Sequence, residues 1–382
     1  MKRKIIYVSF VRLTDKVMRD WYIDYLLGKG AVVEFWDVVS LLRKEYSERG
    51  TKDADYLRVL HGYDELTQLL RQPENRGAWY IMLVDYAGQV TPVFRLLSKF
   101  DCRMLFIAWG AMPHRSAGTR RRIWAMMRRP LLYSKLAFYQ LKAAAWRRLK
   151  LVKPFEIVFA AGRVLLEREQ HALKVVPINL CDYDCFLQKK GCGERVVEGR
   201  YAVFLDIYLP YHTDMETSGY PRIEAAGYYR SVNRFFGLLE QQHGLKVVIA
   251  AHPKADYNPA TFEGREAYRL VTADLVRDAE FVICHVSTAV SYAVLNAKPL
   301  IFIYTNEMLR AYRNNIMRGV RYCADYLGAP LYNVDLVHEA RQIVVRDPDP
   351  SRYRSYKYDF LTTRQTENST NGEILWRELS GC

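Results

Sequence analysis

Short apolar runs alternate with longer segments of helical spacing along most of this chain. The runs are rich in Val and Ile and too short for helices, so they are expected to be buried parallel strands. Three of them cluster in the second half, at 246–251, 281–284 and 299–304. Between the last two, helical spacing over 288–296 completes a strand–helix–strand unit. The first half opens in the same way. A strand is expected at 5–10, an amphipathic helix at 16–27, a turn at Gly28 and Gly30, and a strand at 32–36. Strands follow at 56–60, 79–84, 104–108 and 156–160, with helices at 63–70 and 92–99 and two more, broken at Pro130, between the last two strands.

Alternation of this kind predicts an α/β protein with doubly wound parallel sheets, and 382 residues suggest two domains. The polar, Gly-containing stretch 188–200 reads as a linker. It separates an N-terminal Rossmann-like domain, 1–187, from a C-terminal one, 201–346. The second is expected to hold a strand at 201–207, a helix at 225–243 ending at Gly244, the 246–305 unit, a helix at 306–326, a strand at 331–334 and a helix at 336–344. The tail, 347–382, is expected to pack back on the first domain and to end in a short helix at 373–379. Two Rossmann-like halves facing a central cleft is the predicted arrangement. No G-x-G-x-x-G follows the first strand, so no dinucleotide fingerprint is present.

Candidate chemistry gathers where strands end. The run 246–251 stops at His252-Pro253-Lys254 and the run 281–284 at His285-Val286-Ser287-Thr288, which places polar groups at the carboxyl edge of a parallel sheet, where such sheets bind ligands. Ser287 and Thr288 also precede a helix, so their hydroxyls and free backbone N–H groups are expected to converge on an anion with His252 and Lys254 from the neighbouring strand. Plain helix capping is the competing reading. Asp206, at the end of the 201–207 run, is a carboxylate that is expensive to bury unless it is paired or used. His212 and Asp214 follow it in a Pro-containing loop. A carboxylate beside a phosphate site suits chemistry at a sugar carbon, as general base, nucleophile or stabiliser of positive charge. Arg265 and Arg277 are further candidates for an anion. Asp182-Tyr183-Asp184 has the D-x-D form of a divalent-metal motif, but it precedes a linker rather than following a strand. Cys181, Cys185 and Cys192 lack a paired C-x-x-C or a His partner. No metal and no cofactor are expected.

Charge adds a second feature. Of the net +14, twelve positive charges fall between Ala111 and Pro154, a segment without Asp or Glu that includes Arg120, Arg121, Arg122, Arg128 and Arg129. Trp, Met, Leu, Phe and Tyr are interleaved with them, which is the composition of a helix lying on an anionic membrane surface. Nucleic acid is the rival partner and is not the expected one. Seven cysteines without framework spacing, and no apolar leader or membrane-length run, predict a cytoplasmic, peripheral protein.

The segments HPK, HVST and FLDIYLPYHTD resemble those of bacterial GT-B glycosyltransferases of surface-polysaccharide assembly that use CMP-activated sugars, the Kdo and nonulosonic-acid transferases. The resemblance covers about residues 201–305. It implies a GT-B-like fold, a metal-independent transfer to a capsule or lipopolysaccharide glycan, a CMP-phosphate site at His252-Pro253 and Ser287-Thr288, and a catalytic carboxylate at Asp206. Adjacent acidic residues followed by Gly, the sialyltransferase pattern, are absent, which favours Kdo or another ulosonic acid. A CDP-polyol phosphotransferase, a sugar-nucleotide epimerase, and a non-catalytic membrane- or nucleic-acid-binding protein are the alternatives.

Overall fold

The computed structural model describes residues 3–41, 52–84, 86, 90–113, 130–189, 193–212, 220–313 and 316–381. By internal contacts the chain divides into two units. The first comprises Met1–Trp109, Ala117–Cys181 and Thr363–Cys382, and the second Gly110–Ser116 and Asp182–Thr362. The polar stretch 188–200 therefore falls inside the second unit.

Among the described residues the first unit holds seven strands: β1 (Lys4–Ser9), β2 (Val32–Asp37), β3 (Leu57–Val59), β4 (Trp79–Met82), β5 (Arg103–Ala108), β6 (Ile157–Ala161) and β7 (Lys174–Ile178). They pair in parallel in the order β3-β2-β1-β4-β5-β6-β7. Central strands β1 and β4 are buried along almost their whole length, as a sheet covered on both faces requires. Strand β7 has no counterpart among the expected elements. Its Pro177 is tolerated because β7 lies at the sheet edge, paired on one side only. A helix, Gly162–Arg168, links β6 to β7. The helix expected at 16–27 is two helices, Asp15–Asp20 and Ile23–Gly28. Tyr22 between them is left-handed at φ 59°, and the Trp21 carbonyl accepts from the Tyr7 hydroxyl at 2.7 Å. Of the two helices expected to break at Pro130, the second is the helix Pro130–Arg148, which starts at that proline, a residue that suits a first helical position; the first falls in 114–129, outside the described residues.

The second unit holds β8 (Tyr201–Leu205), β9 (Lys246–Ala251), β10 (Ala267–Arg269), β11 (Val282–Cys284), β12 (Leu300–Tyr304) and β13 (Leu331–Asn333). All pairings are parallel, in the order β10-β9-β8-β11-β12-β13. The helix Ala225–His243 runs as expected and is closed by Gly244 at φ 58°, a conformation that glycine adopts without Cβ strain. Its Tyr228, Phe235, Phe236 and Leu239 pack on Phe204, Ile249 and Ile283 of the sheet. Helix 306–326 is replaced by Asn306–Tyr312 and Ile316–Leu327, with 314–315 outside the described residues. Over 336–344 only single turns form, Val334–Leu336 and Ala340–Gln342, the second held by a capping box at Glu339. The tail carries one unforeseen helix, Pro350–Tyr356, started by Asp349 and Pro350, and ends in Asn371–Ser380.

Both sheets follow one plan. The first strand lies in the middle, the next two build out on one side, and the chain then crosses to build on the other. This is the doubly wound order, and its crevice opens at the carboxyl ends of the two strands where the direction reverses. In the second sheet those strands are β8 and β11.

Candidate functional site

Strands β9 and β11, whose ends carry His252 and Ser287-Thr288, are not neighbours, contrary to the expectation from sequence. Strand β8 lies between them, and Asp206 is the residue that follows it. At a strand spacing of about 4.8 Å, the three strand ends span roughly 10 Å, the reach of one phosphorylated sugar.

Asp206 is 6% exposed. Its Oδ2 accepts from the backbone N–H of Tyr208 at 2.9 Å and from the Tyr257 hydroxyl. The first of these closes a tight turn in which Tyr208 is left-handed at φ 53°. Oδ1 is buried and has no hydrogen-bond partner among the described residues. Burial pushes the carboxyl up to about 7, against the pull of the Tyr208 and Ile207 backbone N–H groups. The group therefore exchanges its proton near neutrality, as an acid–base catalyst must.

Tyr257 lies beyond β9, in the stretch His252-Pro253-Lys254-Ala255-Asp256-Tyr257, and its ring also meets Tyr208 edge-on at 5.3 Å. The same two segments bring His212 and His252 together, with ring centroids 5.3 Å apart. His252 Nδ1 accepts from the Lys254 backbone N–H at 3.2 Å, which folds the turn and leaves the Pro253 and Lys254 side chains exposed. Thus Asp206, His212 and His252 gather where β8 and β9 end. Asp214 lies outside the described residues, as do Arg120, Arg121, Arg122, Arg128 and Arg129.

The end of β11 differs from its expected form. His285 is fully buried rather than presented at the edge. Its Nδ1–H donates to the Ile303 carbonyl at 2.6 Å, and its Nε2 accepts from the Tyr228 hydroxyl at 2.7 Å, an assignment that follows because burial keeps the ring neutral, with a pKa lowered to about 4. Ser287 is half-buried, and its Oγ accepts from the Ala289 backbone N–H at 3.2 Å, a local turn. Thr288 is exposed. The helix that follows, Val290–Leu295, is too short to focus a dipole on an anion, so any anion contact here rests on the two hydroxyls.

Other sequence candidates are engaged elsewhere. The Arg265 guanidinium meets the Glu240 carboxylate at 2.9 and 2.7 Å and stacks on Phe236, and Arg277 pairs with Asp274 and Asp278. Asp182 and Asp184 lie on the helix Cys181–Lys189, where Asp182 accepts from the Ser291 hydroxyl at 2.6 Å and Asp184 from the Gln188 amide at 2.9 Å. Among the described residues no group of three or more His, Cys, Asp or Glu could hold a metal ion, and Cys192 lies outside them.

Sequence reasoning missed Tyr257, although it sits five residues past His252. It also missed a carboxylate pair at the start of the helix Ala225–His243, which follows β8 and so begins at the same sheet edge. Glu224 caps that helix, accepting from Ala226 at 2.7 Å and Gly227 at 2.5 Å. A Cβ at Gly227 would lie 3.2 Å from Glu307 Oε1, and Glu307 Oε2 is buried without a hydrogen-bond partner among the described residues. Both carboxylates are acceptors for hydroxyl groups.

No family model and no curated protein matches the sequence. Among solved structures the chain is similar to Arabidopsis thaliana UGT89C1 in complex with quercetin, at 11% identity over 100% of this chain and 99% of that one, with a TM-score of 0.49. It is also similar to Methanocaldococcus jannaschii UDP-GlcNAc 2-epimerase, at 12% identity over 100% of both chains and a TM-score of 0.48. The spinosyn forosaminyltransferase SpnP gives 10% identity over 99% of this chain and 95% of that one, with a TM-score of 0.44. At such distances the class rests on the sheets themselves: this is an α/β chain of two doubly wound, Rossmann-like units, the GT-B-like architecture.

Proposed function

We propose that the protein is a metal-independent glycosyltransferase that moves an acidic sugar, Kdo or another ulosonic or nonulosonic acid, from its CMP-activated donor to a bacterial surface glycan. The glycan is a capsule or lipopolysaccharide chain on a lipid-linked or oligosaccharide acceptor, and the protein works at the cytoplasmic face of the inner membrane. The observation that carries this reading is Asp206. It is a buried carboxyl with a pKa of about 7 and one oxygen without a hydrogen-bond partner among the described residues, at the reversal point of a doubly wound sheet, between strands that end in His252-Pro253-Lys254 and Ser287-Thr288.

In this scheme the acceptor hydroxyl donates to Asp206 Oδ1 and gives up its proton to that oxygen. The hydroxyl oxygen forms the new bond to the anomeric carbon, and CMP leaves with the electron pair of the broken C–O bond. Lys254, His252 and the hydroxyls of Ser287 and Thr288 neutralise the charge that grows on the departing phosphate. Glu224 and Glu307 accept hydroxyls of the donor.

Thermal unfolding with CMP, UDP and thymidine diphosphate tests the donor. A ligand at a hundred times its dissociation constant adds about 2.7 kcal/mol, and the expected result is stabilisation by CMP. Stabilisation by UDP or thymidine diphosphate with none by CMP overturns the donor assignment, and stabilisation by no nucleotide overturns the site.

A further inference from the structure

The helix Pro130–Arg148 is apolar on two sides, and only one of them is used. Inward, Ala143 is buried and its carbonyl accepts from the Tyr86 hydroxyl at 3.2 Å, while Trp146 packs on the core of the first unit between Arg95 and Lys142. Outward, Phe138 is 63% exposed and Leu141 70%, and Leu149, just past the helix, is 67% exposed. With the exposed Ala145 they recur at i, i+3, i+7 and i+11, so they form one continuous ridge. Among the described residues nothing covers it. Ordinary exposed leucines stand singly, whereas this ridge runs through the segment that holds twelve basic and no acidic residues, with Lys142 and Arg148 beside it.

We infer that this ridge is a shallow insertion element that seats the first unit on an anionic lipid surface. The basic side chains supply attraction to the headgroups, and Phe138, Leu141 and Leu149 enter the boundary between headgroups and acyl chains. The charge decides the occupant. A second copy of the same helix would set twelve positive charges against twelve. A polyanionic strand would leave the ridge unburied. No helix among the described residues is long and apolar enough to cross a membrane, so the contact lies in the plane of the surface. The inference names the side chains that would hold the protein at its membrane, and it stands or falls independently of the donor nucleotide.

The experiment compares the full chain with a Phe138→Ser/Leu141→Ser/Leu149→Ser variant by co-sedimentation with vesicles of phosphatidylcholine and phosphatidylglycerol, and with vesicles of phosphatidylcholine alone. Because all three side chains are exposed, the variant is expected to keep its circular dichroism and its nucleotide-dependent thermal shift. The wild type is expected to bind the anionic vesicles and the variant to bind them at least about thirtyfold more weakly, with residual binding that salt abolishes. Equal sedimentation of both proteins overturns the inference. So does a wild-type dimer, seen by sedimentation velocity, that the substitutions dissolve while vesicle binding persists. Wild-type binding to single-stranded RNA with none to the anionic vesicles overturns it as well.

Discussion

Asp206 and His285 occupy the next register position beyond the Leu205–Cys284 pair, on the two strands that flank the reversal of the second sheet, and burial drives them in opposite directions. Asp206 rises from 3.8 to about 7 and holds a proton in the folded protein that the unfolded chain has released. His285 falls from 6.5 to about 4 and lacks one that the unfolded chain has taken up. Between about pH 4 and pH 6.5 the two differences cancel, and this stretch of the core contributes almost no slope to stability.

Substitution at either residue uncovers the other. For His285 the folded pKa is depressed, so its contribution is present above 6.5 and is lost as pH falls towards about 4. Asp206→Asn is therefore expected to lose roughly 3 kcal/mol over that fall relative to wild type. For Asp206 the folded pKa is raised, so stability is lost as pH rises from 3.8 to about 7. His285→Gln is expected to show that loss, of the order of 4 kcal/mol. Urea unfolding across pH measures both, and parallel curves for all three proteins would show that neither group is buried in its unusual state.

Tyr257→Phe removes the hydroxyl that donates to Asp206 Oδ2. The carboxylate form loses a partner, so the pH at which transfer activity rises is expected to move up by about one unit. A kcat/KM profile against pH reads this directly. An unchanged midpoint would separate Tyr257 from the working carboxylate.

Asp206→Ala is expected to lower kcat about a hundredfold or more while leaving nucleotide-dependent stabilisation in place. Lys254→Ala and Ser287→Ala should act on the donor instead. Each is expected to weaken it by about 1.5 to 3 kcal/mol, seen in KM for the donor and in the thermal shift with CMP. Wild-type donor KM in both variants would move the phosphate site away from these strand ends.

In the first unit, Asn371 Oδ1 accepts from the Asn179 backbone N–H at 2.9 Å, and its Nδ2 donates to the Asn179 carbonyl at 2.9 Å and the Tyr22 hydroxyl at 2.7 Å. Asn371→Ala removes these three hydrogen bonds, two of them to buried backbone, and a loss of about 3 kcal/mol is expected in equilibrium unfolding. A loss below about 1 kcal/mol would mean that water replaces the side chain.

Strand ends were legible because a buried parallel strand is an apolar run that stops where the sheet stops; hence Asp206, His252 and Ser287 fall at one edge, as expected. Strand order was not legible, since no local pattern says that β8 lies between β9 and β11. For the same reason His285 looked like an edge residue. What buries it is Tyr228, 57 residues earlier on a helix, and the Ile303 carbonyl on β12. Strand β7 was hidden by Pro177, which is a breaker in most contexts and harmless at an edge.

The Asn179–Asn371 contact has a consequence for the order in which the chain is made. Asn179 also donates through its side chain to the carbonyls of Thr366 at 3.1 Å and Ser369 at 2.8 Å, so the first unit is closed by residues that leave the ribosome after the whole of Asp182–Thr362. During synthesis the Thr366, Ser369 and Asn371 partners of Asn179 emerge only after the second unit has done so. The half of the chain translated first is thus the half completed last, and it is during that interval that a nascent chain has most need of a chaperone.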